Sequence, residues 1–121
     1  MNEAIREVLG EAGAPPLPEP LAGSIVDSHT HLDTVQDVVG IEPAISLAAA
    51  REVGVTRIAQ IGCDVAGSEF AEELARTHKN VIAAVAIHPN DAARLGRKKI
   101  GDALKRIDEL ANVGNHVRAI G

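Results

Sequence analysis

The chain has 121 residues, a formal charge of −5 and one aromatic residue, Phe70, which bounds it at one ordinary domain whose core is packed from Ala, Val, Ile and Leu. The acidic balance argues against a protein that holds nucleic acid through a broad basic face, but it does not exclude phosphate chemistry at a metal, where the ion supplies the positive charge. Cys63 stands alone, so no intramolecular disulfide forms, and the chain shows neither a basic, apolar secretory signal nor the roughly 18 apolar residues of a membrane span; a cytoplasmic protein is expected.

Residues 1–10 suit a short helix with Ile5 and Leu9 on one side, and "PPLPEP" then removes backbone donors and favours an extended segment. Residues 1–22 read as a Pro-rich leader ahead of a main region over 23–121. From Ser24 a rhythm sets in. "SIVDSHTH" reads as a strand, and "PAISLAAAREVG" as a helix with Ile45, Ala49 and Val53 on one face and Gly54 closing it. "VTRIAQIGC" is a second strand, and "SEFAEELARTHKN" a second helix with Ser68 as N-cap and Phe70, Leu74 and Thr77 at helical spacing. "VIAAVAIHP" is a third strand, uncharged in its first seven residues as expected when both faces are covered. "KIGDALKRIDELANVGN" carries Ile100, Leu104, Ile107 and Ala111 and reads as a third helix, and "HVRAIG" begins a fourth strand.

Strict alternation of strands and helices in units of roughly 30 residues implies parallel pairing through right-handed crossovers. A doubly wound sheet would carry a glycine-rich phosphate loop after its first strand. That place holds "DSHTHLD", so the better reading is α/β with part of a (β/α)8 TIM-type barrel: three βα units and the start of a fourth strand.

Strand alternation puts Ile25, Asp27, His29 and His31 on one face, with the two imidazoles about 7 Å apart along the backbone and able to lean onto one ion. Asp27 and Asp33 are placed to hold the rings or touch the metal from behind. An H-x-H pair by itself is a weak signal, and solvated or core histidines are the competing reading. Its place near the carboxyl end of the first strand, where barrel enzymes keep their chemistry, favours a metal pair. Pro89 biases His88 towards extended backbone, which makes it the last residue of the third strand, at the same end; a surface histidine at a turn is the alternative. Cys63, ending the second strand, reads as a small buried thiol. His78, beside Lys79 in the last turn of a helix, and His116, in the loop before the fourth strand, read as structural. Arg94, Arg97, Lys98 and Lys99 read as a solvated loop and helix start, with steering of a phosphate backbone as the functional alternative.

"VDSHTHLD", "GVTRIAQIGCD", "VAIHPND" and "VRAIG", in this order, closely resemble the opening part of the TatD family of metal-dependent hydrolases, over residues 24–121. The resemblance implies a barrel with one or two divalent ions (Mg²⁺, Mn²⁺ or Zn²⁺) that hydrolyses phosphodiester bonds in DNA. It carries metal binding over to His29 and His31, and a place beside the bound phosphate to His88. In the family a metal-bridging glutamate follows "AIG" directly, and further histidines and an aspartate come from later strands. This sequence stops at Gly121, which leads to the expectation of a truncated product with little or no turnover by itself. Two rivals remain. A PHP-type phosphoesterase also opens with H-x-H, yet would bring an "SDG"-like segment where this chain has "LDTVQDVVG". A non-catalytic fragment would self-associate, or pair with a complementary half-barrel, through exposed sheet edges.

Overall fold

The computed structural model describes residues 3–121. Along the chain run α1 (Glu3–Glu11), β1 (Ile25–Thr30), α2 (Leu32–Val39), α3 (Pro43–Glu52), β2 (Val55–Ile61), α4 (Val65–Thr77), β3 (Val81–Val85), α5 (Pro89–Ala111) and β4 (Val117–Ile120). The strands form one sheet in the order β1-β2-β3-β4. They run parallel and alternate with helices, the α/β pattern of part of a TIM-type barrel. Each crossover brings the next strand in beside its predecessor.

The chain divides into two units, one of residues 1–27 with 31–57 and the other of 28–30 with 58–121. In the first, Leu9, Ile41 and Ala49 form a buried cluster, joined by half-buried Ile5, Ala12, Ala14, Leu17, Val35 and Ile45. The expected helix at residues 1–10 is present from Glu3, residues 1 and 2 lying outside the described ones. The leader is therefore packed through both its helix and the start of its proline run. One helix escaped the sequence reading: Leu32–Val39 is amphipathic but buries no residue fully, and Gly40 ends it at φ +80°, a left-handed turn open to glycine.

In the second unit α4 and α5 pack on β3 and on each other. Val85, Ile107 and Leu110 form a buried cluster with Ile87, Ala111 and Val117 against it. β3 meets the expectation of a covered strand at Val81, Ala83, Ala84 and Val85, while Ile82 keeps 41% of its surface exposed. Three helix assignments differ from expectation. The N-cap of α4 is Asp64, whose carboxylate accepts the Gly67 N–H at 2.6 Å; Ser68 lies a turn inside the helix, on a buried face of Gly67, Ser68, Ala71, Leu74 and Ala75. Helix α5 starts at Pro89 rather than Lys99, and it breaks at Gly96 (φ +70°, ψ −179°). Its buried face is Ala103, Ile107 and Leu110, with Leu104 54% exposed. Ile107 belongs to either helical stripe, and contact with Val85 selects the one through Leu110.

Candidate functional site

His29 lies on β1 and is exposed, whereas His31 is half-buried. The strand stops at Thr30, and His31 is the N-cap of α2 with φ −130° and ψ 71°. The two-residue alternation expected to set both imidazoles on one face therefore ends one residue short. His31 takes its place from the turn into α2, a helix that the sequence reading does not assign. Asp27 is on β1, and Asp33 is in the first turn of α2, where a carboxylate complements the helix dipole. Imidazole and carboxylate are the donor types of Zn²⁺ and Mn²⁺ sites. Among the described residues, however, no three of His, Cys, Asp and Glu gather into a group able to hold an ion. These residues do not complete a metal site by themselves.

His88 is defined more sharply. The strand ends at Val85, so His88 is not its last residue; it is the N-cap of α5, with Pro89 as the first helical position. The extended backbone expected from Pro89 is observed, at φ −61° and ψ 145°. The His88 N–H donates to the Cys63 carbonyl at 2.7 Å, and its own carbonyl accepts from Asp91 and Ala92 at 2.9 Å each. The Asn90 N–H donates to His88 Nδ1 at 3.1 Å. A backbone amide can only donate, so Nδ1 accepts, and the neutral ring carries its proton on Nε2. The ring is exposed, and its Nε2–H is thus available as a donor at the carboxyl end of β3.

Beneath His88 lies a buried brace that sequence reasoning missed. Ser68 is fully buried, and its hydroxyl donates to the Ala86 carbonyl at 3.1 Å and accepts the Ala86 N–H at 3.0 Å. It satisfies both backbone groups of a residue just past the end of β3. Gly62 makes room for it: a Cβ there would stand 2.5 Å from Ser68 Cα and 2.7 Å from Ser68 N. Gln60, also fully buried, accepts a hydrogen bond from Thr30 Oγ1 at 3.1 Å, and the same hydroxyl reaches the Ala59 carbonyl at 3.0 Å. Neither polar residue announced itself. Ser68 resembled a cap, and Gln60 was one polar position in an apolar run.

Cys63 is half-buried in the loop after β2. His78 is the C-cap of α4, with Nδ1 3.2 Å from the Leu74 carbonyl. His116 does more than fill a loop. Its Nε2 is 3.1 Å from Glu72 Oε1, the oxygen that also receives Arg76 Nε at 3.1 Å. Burial pushes the Glu72 carboxyl up, but the hydrogen bonds from His116 and Arg76 outweigh it and hold the group below the usual carboxylate range. This cluster ties α4 to the loop that leads into β4, at the opposite end of the sheet from His88. No described helix is long and apolar enough to cross a membrane.

A family model described as TatD related DNase matches residues 26–121. None of the curated proteins matches the chain.

Proposed function

The chain belongs to the TatD family of DNase-related proteins, and from that premise we propose that it carries part of the machinery of a metal-dependent hydrolase acting on phosphodiester bonds in DNA. The observation that supports this most is the extent of the family match, which takes in His29, His31 and His88 together. Its start at residue 26 also supports a boundary between the leader, 1–22, and the hydrolase region, 23–121. His29 and His31 contribute two imidazoles to a divalent ion. Such an ion supplies a Lewis acid and an activated water when bound. His88 has a role that needs no metal: its Nε2–H, oriented by the Asn90 amide on Nδ1, donates to a phosphate oxygen. A donor preset by the backbone costs no reorganisation when charge builds on that oxygen.

The test separates these roles. Mn²⁺ binding is measured by titration calorimetry, and nuclease activity on single-stranded DNA with Mg²⁺ or Mn²⁺. His29→Ala with His31→Ala is expected to weaken Mn²⁺ binding by about tenfold or more, because each lost imidazole removes a ligand bond. His88→Ala is expected to leave Mn²⁺ binding unchanged and to lower any turnover by about 10²-fold, the usual effect of losing one preset donor. Two imidazoles by themselves leave an ion mostly hydrated. Unaltered Mn²⁺ affinity in the double variant sinks the assignment of the metal ligands.

A further inference from the structure

We infer that the cationic run around the break in α5 is a docking surface for the phosphodiester backbone of a nucleic-acid strand; this rests on the nucleic-acid reading above and extends it away from the reacting phosphate. Arg94, Arg97, Lys98 and Lys99 fall within six residues, without an acidic residue between them, in a chain of charge −5. All four are exposed. Arg94 pairs with Asp91 at 3.2 Å, whereas Arg97, Lys98 and Lys99 join no ion pair among the described residues. Asp102, on the turn after Lys98 and Lys99, pairs with neither.

These cations do not serve the helix. Gly96 breaks α5 with a left-handed φ, so Arg97, Lys98 and Lys99 form the first turn of the helical stretch that follows. Positive charge there opposes the helix dipole, and acidic residues would be the stabilising choice. Three cations in a place that folding disfavours point to use by a polyanion.

Their position fits a strand that passes His88. The chain between His88 and the break is the opening stretch of α5, Pro89 to Leu95, about 10 Å of helix. Arg94, Leu95 and Lys99 line a concavity of about 320 Å³ together with Asp64, Val65, Ala66 and Asp91. Both carboxylates in that wall are engaged, Asp64 by the Gly67 amide and Asp91 by Arg94. The run offers charge with almost no apolar surface, Leu95 being half-buried, so it lacks the apolar face that would insert into a lipid surface. Nor does it offer a stacking platform, since the chain's one aromatic residue, Phe70, is on α4. Contact is therefore expected through phosphates and without base preference.

Binding of a fluorescein-labelled oligothymidylate to the full chain is followed by fluorescence anisotropy in chelator, so that neither metal nor cleavage enters. The Arg97→Glu, Lys98→Glu, Lys99→Glu triple variant is expected to bind about tenfold or more weakly. Its slope of log affinity against log salt should fall by about 2, since each phosphate contact on a single strand contributes about 0.7. Lys79→Glu, an exposed cation before β3, should leave the affinity unchanged, and matching far-UV melts establish that the variants fold. Retained affinity in the triple variant overturns the inference and leaves the hydrolase reading untouched. Competition by polyglutamate or by anionic phosphatidylglycerol vesicles as effective as that by the oligonucleotide also overturns it. Loss of binding in the triple variant supports it even where no nuclease activity is found, which separates its fate from that of the hydrolase reading.

Discussion

Strands β1 and β3 share one sheet, yet they end up in different surroundings. In β3, Val81, Ala83, Ala84 and Val85 are buried, flanked by β2 and β4 and covered by α4 and α5. In β1, at the outer position of the sheet, Ile25 and Val26 keep 46% and 48% of their surface exposed. The histidines at these two strands are both exposed. His88 is held through its backbone by Cys63 and through its ring by Asn90, above the Ser68–Ala86 brace. His29 stands on the exposed strand. Burial of a strand is set by its neighbours in the sheet.

The largest test of this contrast is a pair of truncations. Leu110→Ala empties a side chain that is 2% exposed against Val85 and Ile107, and it is expected to cost about 2–5 kcal/mol in urea unfolding. Val26→Ala on β1 should fall within about 0.5 kcal/mol. Equal losses at the two positions would erase the distinction between the strands.

Smaller, but closer to the site, is Gly62→Ala. The new methyl meets the Ser68 backbone, so α4 must shift, at a cost of about 1–3 kcal/mol. Adding Ser68→Ala should not rescue it, because the obstructing Cα and N remain. Recovery of stability in that double variant would show that only the hydroxyl was in the way.

The smallest effect is electrostatic. The Glu72 carboxyl has a folded pKa below its unfolded value. Its stabilising contribution is therefore fully present above the ordinary carboxylate pKa of about 4.3, and it is lost as pH falls through the lowered folded value. Glu72→Gln should flatten the decline in urea midpoint over that acid range while changing little on the β1 side of the molecule. An acid profile identical to the parent's would remove the clasp between α4 and the loop before β4.

Much of the fold was legible because its signals are local. Short apolar runs between helical segments marked all four strands, Gly54 closed α3 at φ +95°, and Pro89 set His88 in extended backbone. What misled was also local. His88-Pro89 read as a strand end, although the same pair is an N-cap with proline at the first helical position. "LDTVQDVV" has amphipathic spacing but is only about two turns long, too short to stand out beside the longer helices, and with it the surroundings of His31 were missed.

The order of the residues was enough to determine the α/β alternation, the parallel sheet and the family, because periodicity and short motifs are properties of neighbouring positions. Three things required the tertiary structure: which stripe of α5 faces the core, the use of Ser68 as a brace for Ala86, and the proton position on His88. The first two depend on partners distant in sequence, and the third on how the chain turns into α5, which brings the Asn90 amide to the ring. Contacts of that kind exist only once the backbone has closed around them.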